Sequence, residues 1–213
     1  MRINIAALVL CVLSVVFAQE YKLPEPGADG KIAIFNGKDL AGWEGDPKIW
    51  SVKDGAIVGK HEGLAYNDFL KSKFEVADFR LVLHVKLVDN NRNSGIQFRS
   101  QKHGEHEMKG YQADMAAGWW GRLYEESGRG LLVKEGGERY VKKGDWNTYE
   151  IVAVGDRVMA AINGHKVFDL VDPNGMKKGI FGLQVHSDKN PTEAQFKDLK
   201  VELNPKPDLV TMK

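Results

Sequence analysis

An all-β fold of two packed antiparallel sheets is what this sequence predicts, and three observations predict it. Short apolar runs alternate with polar residues at period two, most plainly over 79–88 (FRLVLHVKLV). Turn pairs such as Asp54-Gly55, Gly155-Asp156 and Asn163-Gly164 stand between such runs, and their residues tolerate the positive φ that two-residue hairpins need. After residue 18 no stretch carries the 3.6-residue period of an amphipathic helix. Many short strands joined by glycine turns make a sandwich. A length of 213 residues, 43% of them hydrophobic and 23 of them glycine, suits one globular domain rich in turns.

Residues 1–18 read as a signal peptide. Arg2 gives a positive start, an apolar run follows to Phe17, and Val16 and Ala18 supply the small residues of a cleavage site. The run is shorter than the roughly 20 apolar residues of a bilayer span. Export to the periplasm or the outside is therefore expected, with no stable membrane insertion once the segment is removed. The single cysteine, Cys11, leaves with it. Disulfides, thiolate metal sites and cysteine nucleophiles are excluded together in the remaining chain. Lys and Arg fall from 30 to 29, equal to the 29 Asp and Glu. With no net charge and no basic block, a nucleic-acid partner is not expected.

Residues 19–30 hold prolines and glycines and read as an irregular lead-in. A first strand is expected over 32–35, then a hairpin pairing 50–52 with 56–58. The stretch 63–70 has no clear period, and a short helical turn is expected over 66–71. Strand 79–88 follows, with Phe79, Leu81, Leu83, Val85 and Leu87 on one face. Further strands lie between 94 and 130. A meander over 146–154, 157–162 and 165–170 comes next, and strands 179–186 and 196–203 close a domain spanning 31–203. Residues 204–213 form a tail lying on the surface.

The stretch 94–130 concentrates Arg, Gln, Asp, Glu, Tyr and two Trp among short strands, a mixture a mere scaffold does not need. Period two sorts it. Ile96 and Phe98 share a face, so Gln97 and Arg99 share the other. Gln112 and Asp114 point together, as do Gln184 and His186. Such strand faces usually carry Lys, Glu, Thr and Ser to meet solvent, whereas these three pairs hold no Lys. A donor and acceptor array of this kind suits the hydroxyls of a carbohydrate. Of Trp119 and Trp120, one fits the core and the other fits a place beside the pocket, where its ring can stack on a sugar. Asp114 with Glu125 or Glu126 could supply a glycosidase carboxylate pair. Histidine titrates near neutrality, which makes His186 the residue best suited to general-base work. His103, Glu105, His106 and Glu107 form a polar loop whose spacing fits no helical zinc motif.

Eight blocks in order carry a family resemblance. They are 35–43 (FNGKDLAGW), 50–58, 93–99 (NSGIQFR), 110–114 (GYQAD), 121–125 (GRLYE), 146–151 (WNTYEI), 162–164 (ING) and 179–186 (GIFGLQVH). Over about 31–203 the chain resembles the 3-keto-disaccharide hydrolase domain family. The resemblance implies a concanavalin A-like jelly-roll sandwich acting on glycosides already oxidised at C3. A C3 ketone acidifies the C2 hydrogen, so a base removes that proton, the C1 aglycone leaves by β-elimination, and water adds back. Carried onto this chain, the resemblance implies His186 or Asp114 as base and Glu125 or Tyr124 as acid for the leaving oxygen. It implies Arg99 at the enolate or a hydroxyl, and Gln112 and Gln184 orienting the sugar, beside Gln97, Trp119 and Trp120. The cofactor is left open, a divalent cation at the enolate being one candidate. Segment 113–130 departs from the commoner form in its Trp pair and acidic strand end. The rival expectation is a carbohydrate-binding module without catalysis, because this architecture hosts lectins as readily as hydrolases.

Overall fold

The computed structural model describes residues 21–213; the expected signal peptide lies outside the described residues. Fifteen strands run along the described residues. The first six are β1 (Ile32–Ala33), β2 (Trp43–Glu44), β3 (Trp50–Lys53), β4 (Ala56–His61), β5 (Asp68–Val76) and β6 (Phe79–Leu87). The polar stretch forms β7 (Asn93–His103), β8 (Glu107–Ala116), β9 (Leu123–Glu126) and β10 (Gly130–Val133). The meander is β11 (Asn147–Val154), β12 (Arg157–Ile162) and β13 (His165–Val171), followed by β14 (Gly179–Val185) and β15 (Thr192–Leu203). Helix among the described residues is one 3-10 turn, Glu138–Tyr140.

The strands make two antiparallel sheets. One runs β13-β12-β11-β6-β15-β4-β3, with β1 also paired to β15; the other runs β10-β9-β8-β7-β14-β5-β2. The core lies between them. Phe79, Leu81, Leu83, Val85 and Leu87 of β6 are each no more than 1% exposed and belong to one apolar cluster with Ile96, Phe98, Phe181 and Leu183 of the other sheet. Fully burying one such side chain is worth about 1.5–3 kcal/mol. The meander turns as its sequence requires, since Asn163 and Gly164 take φ of 51° and 81°.

One expectation changes. The helical turn expected over 66–71 is absent, because β5 begins at Asp68 and pairs with β14 and β2. Its inward residues Leu70, Phe74 and Val76 join the core, while Phe69 and Lys71 point outward. The tail is fastened to the outer face of the other sheet. Glu150 of β11 is fully buried in the outer face of its sheet and accepts hydrogen bonds from the Val210 and Thr211 amides, each at 2.9 Å, and from the Thr211 hydroxyl at 2.6 Å. Arg80 of β6 pairs with Glu150 at 3.1 Å, with Glu202 and with Asp208.

The feature that shapes the site is a bend in the β7–β8 hairpin. The pairing slips between Phe98 and Gln101, where Arg99 takes a φ of 45°. Gly110 on the other arm takes a φ of 142°, open to glycine. Beyond the bend the hairpin folds back over the outer face of its own sheet. Met108 thereby reaches Gly182 of β14, where a Cβ would stand 2.3 Å from the methionine sulfur.

Candidate active site

Alternation on four neighbouring strands builds the site on the outer face of the seven-stranded sheet. Gln112 and Asp114 of β8 point outward, because Tyr111, Ala113 and Met115 belong to the core. Tyr124 of β9 lies opposite Gln112, and Glu126 lies opposite Gly110, so both share that face. His186 follows β14 directly, with its amide bonded to the Asn93 carbonyl of β7 at 3.4 Å. A cleft of about 220 Å³ opens here. One wall is Asp114, Glu126, Tyr124 and Trp119; the other is His186, Asn67 and Asn93, with Gln112 between them. Asp114 and His186 stand two strands apart, about 10 Å across the sheet at ~4.8 Å per strand. Gly95 occupies the strand between them. A Cβ there would stand 2.6 Å from Gln112 Cδ, so its absence gives the Gln112 side chain its place.

Asp114 is 5% exposed. Its Oδ1 accepts from Gln112 Nε2 at 3.0 Å, and its Oδ2 has no partner among the described residues. Burial pushes its carboxyl up to about 7, and the neighbouring Glu126 adds to the rise. Burial likewise raises Glu126, with Glu107 contributing. His186 has Nδ1 2.8 Å from the Ser187 carbonyl oxygen. A carbonyl only accepts, so Nδ1 carries a proton and Nε2 is the atom left to exchange one. Asn67 braces this wall: its Oδ1 accepts from the Ser187 amide at 3.0 Å and its Nδ2 donates to Glu107 at 3.1 Å. Next to it, Tyr66 and His106 stack with ring centroids 3.7 Å apart, which ties the hairpin tip to the loop before β5.

Of the ten residues expected at the site, the cleft gathers Asp114, Gln112, Tyr124, Trp119 and His186. Five lie elsewhere. Arg99 does not share the face of Gln97, because the slip in pairing breaks the period at that residue. Its guanidinium is buried at the sheet end and donates to the Ala77 and Gly155 carbonyls at 2.8 and 2.7 Å and to Asp78 at 2.8 Å. Gln97 and Gln184 do point outward, but both are 0% exposed and neither lines the cleft. The overlying hairpin accounts for their burial, since Met108 sits on the Gly182 position beside them. Glu125 faces away from Tyr124 and Glu126. Arg129 takes both its oxygens and also holds Asp172, and those bonds keep the Glu125 carboxyl below its ordinary value. Trp120 is 1% exposed and its indole donates to Asn90 at 2.9 Å, whereas Trp119 is 40% exposed with the Arg122 guanidinium 4.6 Å from its ring centre.

Asn67 and Asn93 join the cleft without having been assigned to it from sequence, and of the two glutamates offered beside Asp114 it is Glu126 that lines it. Period two could have found Glu126, which lies two residues beyond Tyr124 on the same strand. Asn67 falls in the stretch that had no period, and Asn93 in a turn. A divalent cation does not fit this donor set. Among the described residues no three His, Cys, Asp or Glu side chains converge where one could sit. Asp114 Oδ1 and His186 Nδ1 already hold hydrogen bonds.

A polar cleft with one exposed tryptophan thus lies on the outer sheet face of a two-sheet β-sandwich. Residues 30–202 match the 3-keto-alpha-glucoside-1,2-lyase-like domain, and the chain belongs to that family. No curated protein matches the sequence. Among solved structures, one proposed glycosyl hydrolase from Parabacteroides distasonis shares 23% identity at a TM-score of 0.62, covering 81% of this chain and 98% of that one. A second from the same organism gives 20% and 0.63, covering 82% and 94%. The carbohydrate-binding module CBM66 from Bacillus subtilis gives 21% and 0.59, covering 76% and 95%. At these identities the likenesses establish the fold, a concanavalin-type and galectin-type sandwich.

Proposed function

We propose that this protein is an exported enzyme that cleaves 3-keto-glycosides by elimination and rehydration. The observation that carries the reading is Asp114. It is a carboxylate raised to about 7 by burial, with one oxygen unpartnered, lining a sugar-sized cleft that also holds the Nε2 atom of His186. Its raised value makes the ionised form a stronger base than an ordinary carboxylate, poised near neutral pH.

The C3 ketone of the bound sugar acidifies C2. Asp114 Oδ2 takes the C2 proton, and the electron pair of that bond moves toward the C3 oxygen as an enolate. Tyr124, in the same wall, donates its hydroxyl to that oxygen, where a fixed donor stabilises charge most effectively. The pair then returns to form the C1–C2 double bond and expels the aglycone oxygen, which receives a proton from His186 Nε2. The Ser187 carbonyl at Nδ1 steadies the ring while it is positively charged. Water next adds across the double bond. Its hydroxyl goes to C1, His186 recovers the water proton, and Asp114, its proton exchanged with solvent while the aglycone leaves, protonates C2. Trp119 offers a stacking face to the apolar side of the ring.

Two rivals have observations behind them. Asp114 and Glu126 both line the cleft, as an ordinary carboxylate-pair glycosidase requires. The likeness to a carbohydrate-binding module, with an exposed Trp119, favours binding alone. A chromogenic 3-keto-glucoside and its unoxidised parent separate all three. The elimination reading expects aglycone release from the keto substrate only, with solvent deuterium entering at C2. Turnover of the parent points to the carboxylate pair, and binding without turnover of either points to a module. Release without deuterium at C2 refutes the proton abstraction.

A further inference from the structure

Behind Asp114 a line of uncharged side chains runs away from the cleft. Ser100 Oγ donates to Gln97 Oε1 at 2.7 Å, Gln97 Nε2 donates to Gln112 Oε1 at 3.1 Å, and Gln112 Nε2 donates to Asp114 Oδ1 at 3.0 Å. All four residues are 5% exposed or less. Gln97 and Gln112 are direct partners across β7 and β8, and Ser100 sits within the slip in pairing where the hairpin bends. Every link donates in the direction of Asp114. Gln97 and Ser100 line no part of the cleft, so neither can touch a substrate there.

An amide neither gains nor loses a proton near neutral pH, so the line cannot carry one away. What it can do is decide which end of the Gln112 amide meets the carboxylate. With its oxygen engaged by Gln97, the Gln112 amide presents NH2 to Oδ1, and Oδ2 remains as the oxygen that exchanges a proton. If the Gln97 donor is lost, the Gln112 oxygen has no reason to point away, and a carbonyl turned toward Asp114 disfavours its charged form.

We propose that Gln97 and Ser100 are positioning residues for Asp114, holding the Gln112 amide so that Oδ1 is occupied and Oδ2 alone reacts. The proposal rests on Asp114 being the proton-handling residue of the function proposed above. Glu126 of β9, Arg122 before β9 and Tyr149 from the opposite sheet also act on Asp114, and Tyr124 and His186 line the same cleft. None belongs to the Ser100–Gln97–Gln112 line, so substitutions within it leave them in place.

The test is a carbon-13 NMR titration of the Asp114 carboxyl, which needs no turnover, run beside the pH profile of kcat on a 3-keto-glucoside. Gln97→Met should raise the apparent pKa of Asp114 by about one pH unit. The limb of the kcat profile that follows Asp114 should move up by the same amount. Ser100→Ala should move both in the same direction by less, and Ser100→Thr, which keeps the hydroxyl, should restore both. An unmoved titration in a folded Gln97→Met protein overturns the proposal, as does a fall in kcat with no movement of the profile. If Gln97→Met does not fold, Ser100→Ala decides by the same criteria. A wild-type protein without turnover removes the proposed function, and the NMR titration still decides the positioning claim.

Discussion

Replacing Asp114 by Asn should stabilise the protein, and increasingly so as the pH rises. The isostere keeps an oxygen to accept from Gln112 Nε2 and removes only the charge. In the unfolded chain the carboxyl has its ordinary value of 3.8, and in the folded protein it stands at about 7. Between those two pH values the unfolded chain has released the proton while the folded one holds it. Folding therefore binds a proton, and stability falls as pH rises through that window. At about 1.36 kcal/mol per pH unit, the full penalty above pH 7 is about 4 kcal/mol, of which roughly 1.7 kcal/mol is already present at pH 5. Urea unfolding at pH 5 and pH 8 measures it. The stability advantage of Asp114→Asn over wild type should grow by about 2.5 kcal/mol between the two conditions. An advantage equal at both would mean that Asp114 is not held above its ordinary value, and the choice of base would fall with it.

Arg99→Leu leaves two backbone carbonyls and Asp78 without their buried donor. Unfolding experiments should show a loss of about 3–5 kcal/mol, while KM for the folded fraction stays within about twofold. Trp119→Ala should weaken sugar binding about tenfold by calorimetry with little change in Tm, whereas Trp120→Ala should cost about 3–5 kcal/mol of stability. Glu126→Gln removes a like charge beside Asp114, so the Asp114 carboxyl should fall and the acid limb of the activity profile should move to lower pH. A limb that stays in place would show that Glu126 does not act on Asp114 through its charge.

Period two made most of the fold and part of the site legible. The faces of β6, β8 and β14 follow directly from alternation, and so do the outward positions of Gln112, Asp114 and His186. It failed where the backbone stops alternating. Arg99 sits in the slip between Phe98 and Gln101, and nothing in the string NSGIQFRSQKH marks the residue at which φ turns positive. Glu125 and Glu126 were separable in principle, but only once Tyr124 was known to face the cleft. The covering of Gln97 and Gln184 was not legible at all. It depends on Met108 folding back onto a glycine some seventy residues further along the chain, a contact that local spacing does not encode.

The fastening of the tail has a consequence for the order in which the molecule can be finished. Glu150 and Arg80 lie in the middle of their sheet, which is otherwise assembled from strands ending at Leu203. Their hydrogen-bonding capacity is filled by Lys206, Asp208, Val210 and Thr211, all beyond the last strand. Until residue 211 has been synthesised, a nascent sandwich opens this charge pair to water at the centre of one sheet's outer face. Arg80, Glu150 and Glu202 still hold one another without the tail, so trimming forfeits the tail's hydrogen bonds, each worth about 1.5–3 kcal/mol to a charged group, against the roughly 5–15 kcal/mol that holds a typical domain together. A protein trimmed after Leu203 retains every strand, yet it should be the less soluble and more protease-sensitive product.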